Sequence, residues 1–162
     1  MLIREARTAD LPAILEIMND AILNTTAIYE YEIRTSDYIE DWFIKKQKNK
    51  EPVIVCDKED NVIGFGTYGQ FRPRAAYQFS AEHSVYIKSG FQRQGLGSSL
   101  LTTLIDLAQK QGYHTLIAGI DASNQSSYEF HRRFGFLEVA RFKEVGYKFD
   151  RWLDLIFMQR ML

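Results

Sequence analysis

Residues 82–98 constrain the fold of this chain more than any other part of the sequence. They read as a strand (Glu82–Ile87), a polar connection and a glycine-bearing turn (Gln92–Ser98) that opens an amphipathic helix ending near Gly112. Tyr113–Ile120 then reads as another strand. A strand–helix–strand unit predicts one parallel strand pair, because the helix returns the chain to the same end of the sheet. The helix N-terminus offers unpaired N–H groups to an anion.

The flanking segments complete a mixed α/β pattern. Apolar residues recur at helical spacing after Thr8 and again after Ser36, which are both predicted N-caps. The predicted order is β-α-α-β-β-β-α-β-α-β-β. Its strands lie at 2–6, 52–56, 62–71, 79–87, 113–120, 136–145 and 152–161. We expect a mostly antiparallel sheet flanked by helices, with a central β-α-β unit, in a single domain spanning residues 1–162.

Composition excludes several classes of partner and location. A net charge of −1 argues against bulk electrostatic binding to nucleic acid. The single cysteine, Cys56, allows no intrachain disulfide, which indicates a reducing compartment and hence the cytoplasm. No apolar run reaches the ~18 residues of a membrane span, so no membrane contact is predicted. No His, Cys, Asp or Glu cluster has the spacing of metal ligands, so we predict no metal.

The glycine turn fits one phosphate-binding pattern better than its two competitors. A Walker A loop requires lysine after the last glycine, but Gly97 is followed by serine. A dinucleotide fingerprint requires a small residue at position 100, which is leucine. The remaining pattern, Gln/Arg-x-x-Gly-x-Gly/Ala over residues 92–97, predicts a pyrophosphate held by main-chain N–H groups. An ordinary turn and helix start is the structural alternative.

Three blocks of sequence resemble the GNAT superfamily of N-acetyltransferases. Within it they are most similar to the phosphinothricin and methionine sulfoximine N-acetyltransferases. The blocks are 71–86, with Phe-Arg-Pro-Arg-Ala-Ala-Tyr followed by Ala-Glu-His-Ser-Val-Tyr; 118–136, with Ala-Gly-Ile-Asp and His-Arg-Arg-Phe-Gly-Phe; and 146–154, Gly-Tyr-Lys-Phe-Asp-Arg-Trp-Leu-Asp. The resemblance covers nearly the whole chain and implies an acetyl-CoA-dependent enzyme that forms a homodimer.

The resemblance also implies which residues hold acetyl-CoA. The strand residues Val85, Tyr86 and Ile87 would pair their backbone with the pantetheine arm. Asn124 matches a cofactor-binding asparagine, although helix capping would also explain it. The pyrophosphate would lie on the glycine turn, formed by Arg93, Gln94, Gly95, Leu96, Gly97 and Ser98.

Two residues are candidates for the proton transfers of the reaction. Glu82 matches the position proposed as general base, which would take a proton from an amine substrate. Its structural alternative is a solvated strand-end glutamate. His131 matches the position of the general acid that would protonate the leaving thiolate. It could also bind the cofactor, and it could equally be a packed helix residue. Tyr128 lies near the same helix face and is a weaker candidate.

Substrate recognition is assigned to charged and aromatic residues. Arg72 and Arg74, separated by one proline, are suited to clamp a carboxylate or phosphinate, although a solvated loop would also explain them. The resemblance adds Tyr29, Tyr77 and Tyr86 as pocket residues, beside Glu82. Core packing is the alternative for each tyrosine.

The predicted activity is direct transfer of an acetyl group to the α-amine of a small amino acid-like substrate of the phosphinothricin or methionine sulfoximine type. One alternative is acetylation of protein N-termini or lysines, which would not need the arginine clamp. Another is a non-catalytic coenzyme A-binding sensor, which would tolerate loss of the Glu82 carboxylate. The last alternative is a purely structural module that binds no coenzyme A.

Overall fold

A computed structural model that describes residues 1–162 shows seven strands. They are β1 (Leu2–Glu5), β2 (Val53–Lys58), β3 (Asn61–Gln70), β4 (Ser80–Ile87), β5 (Thr115–Asp121), β6 (Leu137–Lys148) and β7 (Arg151–Met161). The strands form one sheet in the order β1-β2-β3-β4-β5-β7-β6. The helices are α1 (Leu11–Asn24), α2 (Ser36–Lys48), α3 (Leu96–Lys110) and α4 (Gln125–Arg133).

Only β4 and β5 run parallel, and every other neighbouring pair is antiparallel. The predicted sheet type and its central β-α-β unit are therefore confirmed. The parallel pairing is short, since it runs only from Ser80 opposite Thr115 to Glu82 opposite Ile117. Beyond these residues β4 stays paired with β3 and β5 stays paired with β7. The two central strands therefore separate and leave a cleft in the middle of the sheet.

Helices cover both faces of the sheet. The apolar side chains of α1 and α2 form a core with β2 and β3, while α3 packs on the opposite face against β2 to β5 and β7. Side chains along β4 alternate between these faces, as the pleat requires. Val85 and Ile87 pack on the α3 side, whereas Tyr86 packs against Phe65 on the other, with ring centroids 5.1 Å apart. The predicted orientation of Tyr86 is confirmed. None of the helices combines the length and apolar character needed to cross a membrane.

The predicted N-caps of α1 and α2 are both wrong, by two residues and by one residue: the caps are Asp10 and Thr35. Thr8 starts a 3-10 turn instead, because the Asp10 carboxylate accepts the Arg7 N–H at 2.7 Å and also binds Arg4. The second helix is capped by Thr35, whose hydroxyl accepts the Tyr38 N–H at 3.2 Å. Adjacent hydroxyl residues are equally good caps by composition, so backbone direction decides between them.

Candidate active site

The cleft between the diverging strands opens into a cavity of about 1290 Å³. Its walls are β4 from Glu82 to Ile87 and β5 from Ala118 to Asp121. The glycine turn, the start of α4 and the segment 26–29 between α1 and α2 close its sides. Strand divergence thus produces a cavity beside the glycine turn, at the place where the sequence predicts cofactor binding.

One wall of the cavity is an unpaired strand edge. The Lys88 N–H donates to the Ile63 carbonyl and the Phe71 N–H donates to the Ser80 carbonyl, so the even-numbered residues of β4 turn their backbone groups toward β3. By alternation, the N–H and C=O groups of Val85 and Ile87 point the other way, into the cleft. An extended ligand rich in amides is suited to this edge, because it can pair there as an added strand.

The glycine turn forms an anion cradle at the far end of the cavity. Gly95 is the N-cap of α3 with φ +79°, a conformation that favours glycine. Its carbonyl accepts the first helical bond from the Ser99 N–H at 3.1 Å. The N–H groups of residues 96–98 therefore have no partner within the helix and carry its positive dipole end. This cradle fits a phosphate or pyrophosphate group.

The Glu82 side chain lies where the two strands begin to separate, and it lines the cavity. Burial raises the pKa of its carboxyl, while the positive charge of Arg72 opposes that shift. Gly119 on β5 makes room for it, because a Cβ there would lie 3.0 Å from Glu82 Oε1. A carboxylate with a raised pKa, facing a cavity, is the expected state of a general base.

Arg72 is the charged neighbour of Glu82 on the α1 side of the sheet. Its guanidinium lies 5.3 Å from the centre of the Phe71 ring, which packs edge-on against Phe157 at 5.6 Å. The Gln70 amide fixes the loop by donating to the carbonyls of Arg72 and Arg74, at 2.7 Å each. The Arg72 cation and the Phe71–Phe157 ring pair therefore lie near the Glu82 carboxylate, outside the residues that line the cavity.

His131 of α4 lies on the other side of the sheet, where its ring packs against His83 of β4. Its Nδ1 is 2.7 Å from the Ser127 carbonyl and its Nε2 is 3.2 Å from Nε2 of His83. Burial lowers the pKa of His131. Both ring nitrogens thus have protein partners. The general-acid role of His131 stays a prediction, because it requires the ring to leave one of them.

The structure brings most of the other predicted residues to the cavity, but not all of them. Tyr29 and Asn124 line it, and Asn124 Oδ1 caps α4 by accepting the Ser127 N–H at 3.1 Å. The glycine-turn residues line it except Gln94, which is exposed. The predicted residues that lie outside its lining are Arg72, Arg74, Tyr77 and Tyr128. No group of three or more His, Cys, Asp or Glu side chains is placed to hold a metal ion.

A buried lysine that the sequence did not reveal fixes the segment 26–29, which forms one wall of the cavity. Lys148 is 4% exposed, and its Nζ donates to the carbonyls of Thr25 and Ile28, at 2.7 Å each. Tyr29 packs on Gly146, where a Cβ would lie 2.7 Å from its ring. The segment 25–29 is therefore tied to the hairpin of β6 and β7. No local signal marks Lys148, because its partners lie about 120 residues away.

Comparison with known proteins gives matches along nearly the whole chain. Residues 3–157 match the family described as Acetyltransferase (GNAT) domain. An L-methionine sulfoximine/L-methionine sulfone acetyltransferase from Pseudomonas aeruginosa is 42% identical, and the match covers 97% of this chain and 92% of that protein.

Two solved structures have nearly the same fold. A phosphinothricin acetyltransferase from Sinorhizobium meliloti in complex with AcCoA has a TM-score of 0.96 at 35% identity, covering 99% of this chain and 88% of that one. A ribosomal-protein-alanine N-acetyltransferase from Brucella melitensis has a TM-score of 0.98 at 44% identity, covering 100% of both.

Proposed function

Because this chain belongs to the GNAT family of acetyltransferases, we propose that it transfers an acetyl group from acetyl-CoA to the α-amine of a small amino acid-like substrate. The observation that carries this proposal is the cavity, which joins an anion cradle, a free strand edge and the half-buried Glu82 carboxylate. The relative from Pseudomonas aeruginosa and the phosphinothricin enzyme supply the substrate class.

The residues of the cavity fit acetyl-CoA, which would supply an activated acetyl thioester. The N–H groups at the start of α3 are available to the pyrophosphate, with Arg93 and Arg133 beside them on the cavity wall. The free edge at Val85 and Ile87 is available to the pantetheine amides. The N–H groups of this β4 edge can also donate to the thioester oxygen, which gains negative charge during attack by the amine.

Glu82 is the proposed general base. An alkyl amine such as that of lysine titrates near ~10.4, so the substrate arrives as an ammonium and must lose a proton before it attacks. The raised pKa of Glu82 makes its carboxylate a better acceptor for that proton, directly or through one water. Transfer is direct, because Cys56, the only thiol, is fully buried in the core under α3.

The first test is release of coenzyme A thiol from acetyl-CoA in the presence of L-methionine sulfoximine, L-methionine sulfone or phosphinothricin. We expect release that depends on one of these amines and is saturable. Coenzyme A binding without amine-dependent release would favour the non-catalytic sensor instead. Absence of both binding and release would refute the proposed function.

Arg72 is the proposed partner of the substrate carboxylate or phosphinate. Replacing it as Arg72→Met keeps the apolar stem and removes the charge, so the amino acid KM should rise about 10- to 100-fold, the worth of one charge-assisted pair. Steady-state kinetics with varied amine measure this change. Arg7→Met, an exposed site distant in sequence, is the control. Unchanged KM in Arg72→Met would remove Arg72 from substrate binding. Arg74 is the second proposed clamp residue, tested in the same assay.

Substitution of Gly97 tests the anion cradle without disturbing the fold. Gly97 lines the cavity, and a Cβ there would contact only the Phe130 ring, at 3.6 Å. Gly97→Ala should therefore leave the unfolding temperature unchanged or slightly raised, since alanine favours helix. The added methyl should weaken coenzyme A binding about tenfold or more by filling the cradle. Isothermal titration calorimetry measures the affinity, and full affinity in the variant would contradict the assigned pyrophosphate site.

Acetylation of protein N-termini is the second candidate function, because the Brucella melitensis structure is a ribosomal-protein-alanine N-acetyltransferase. Peptides with N-terminal alanine should then compete with the amino acids in the thiol-release assay. A peptide with the higher kcat/KM, together with an Arg72→Met variant of normal activity, would favour this function over the small-molecule one.

We also propose a cytoplasmic homodimer. The long strand β6 is an edge strand, and its apolar side chains are largely exposed together with Trp152 on β7. A free edge of this length invites pairing with another chain. Light scattering during gel filtration should give twice the mass of 18.9 kDa. A monomer at micromolar concentration would contradict the proposed dimer.

A further inference from the structure

A pair of buried histidines lies beside the cleft and has no part in the proposed base chemistry. His83 on β4 is 5% exposed and His131 on α4 is 7% exposed. Their Nε2 atoms are 3.2 Å apart and their ring centroids 5.1 Å apart. Two nitrogens at this separation form a hydrogen bond only if one of them carries a hydrogen and the other a lone pair.

The partners of the two rings settle which nitrogen carries the hydrogen. The Ser127 carbonyl, 2.7 Å from His131 Nδ1, can only accept, so this Nδ1 carries a hydrogen. A neutral imidazole has only one N–H group, so Nε2 of the neutral His131 ring carries a lone pair. The Nε2–H group of His83 must therefore donate to it. His83 Nδ1 then has no hydrogen, and it is a buried atom without a partner.

The surroundings of the pair favour its neutral form. The rings of Phe130 and Phe136 pack against it at 5.1 to 5.5 Å. Burial lowers the pKa of both histidines, that of His83 to about 3. Glu82 lies on the opposite face of β4. The charged side chains on the other neighbouring elements are exposed or bonded elsewhere: Asp106 and Lys110 on α3, Asp121 on β5, Glu129, Arg132 and Arg133 on α4, Glu138 on β6, and Arg160 on β7.

We propose that His83 is a positioning residue for the transfer reaction. By donating to Nε2 of His131, it locks that ring, together with the Ser127 carbonyl, as a neutral Nδ1–H imidazole in the wall of the cavity. The lock keeps both nitrogens of His131 bonded to the protein and away from the acyl donor. Protonation of the His131 ring then does not contribute to the pH dependence of the transfer rate. The lock is a property of the resting protein, and only its kinetic consequence rests on the proposed function.

Imidazole ¹⁵N NMR tests the lock directly, because the chain has only three histidines and His114 is exposed. With wild-type protein between pH 5 and 8, we expect His131 as the Nδ1–H form and His83 as the Nε2–H form, both without titration. His114, the exposed third imidazole, serves as the internal reference signal. A charged His131 at pH 7, or an Nε2–H form of it, would overturn the proposal.

Two variants test the kinetic consequence. His83→Phe removes the donor, so Nε2 of His131 becomes free to bind a proton, and the ratio of kcat at pH 6 to kcat at pH 8 should change ~3-fold or more from the wild-type ratio. His83→Gln keeps an N–H donor and should restore the wild-type ratio, as should the control His114→Gln. A wild-type pH profile in His83→Phe would overturn the positioning role. If His83→Phe does not fold, the NMR result decides. An inactive wild type would refute the proposed function and leave the NMR test intact.

Discussion

Glu82→Gln should lower kcat about 10²- to 10⁴-fold, the usual contribution of a positioned general base. Glutamine has nearly the same shape but cannot take the proton of the substrate ammonium. Because no hydrogen bond fixes the carboxylate and its pKa is raised by burial, removing its charge should not destabilise the fold. Single-turnover thiol release at pH 8 measures the chemical step, and coenzyme A affinity should stay within about twofold of wild type.

Two further variants separate base catalysis from general damage at this site. Glu82→Asp keeps a carboxylate but withdraws it from the cleft, so its rate should lie between those of wild type and Glu82→Gln. Glu40→Gln, at an exposed position on α2, removes one negative charge far along the chain and should behave as wild type. If Glu82→Gln keeps its full rate at pH 8, another group takes the proton and the assignment of Glu82 is wrong.

Acidification from pH 7 to 5 should cost about 2 kcal/mol of folding free energy through His83 alone. Its pKa is about 3 in the folded protein because the ring is buried, against ~6.5 in the unfolded chain. Between these values the unfolded chain binds a proton that the folded chain does not. The stabilisation is therefore complete above pH 6.5 and is lost as the pH falls toward 3. His131, whose pKa is also lowered, adds to the same loss.

Other titrating groups act outside this window or with the opposite sign. The lowered pKa values of Asp10 and Asp121 matter only below about pH 4, near their unfolded values. Glu82, with a raised pKa, is stabilised by protonation and opposes the loss. Urea unfolding at pH 7, 6 and 5 measures the difference. The control His114→Gln should keep the wild-type loss and His83→Phe should reduce it, while equal losses in wild type and His83→Phe would contradict the buried pair.

Local sequence patterns predicted the element order, the parallel pair and the anion cradle. Helical and strand periodicities and the glycine turn act over a few residues, so they can be read without knowing the fold. The same holds for Asn124 as a helix cap and for the alternation that directs Tyr86 away from Val85 and Ile87. The blocks that resemble the GNAT family then pointed to the correct family, because they occur in order along nearly the whole chain.

The chemistry within the site depends on contacts between residues far apart in the sequence. Only the tertiary structure shows that β4 and β5 separate after Glu82, that Gly119 leaves space for its carboxylate, and that Arg72 opposes the shift of its pKa. His131 was readable as a site residue, but its engagement with His83, 48 positions away, was not. Periodicity determines which face a side chain takes, whereas packing across the sheet decides which groups are buried together and therefore which of them hold a proton.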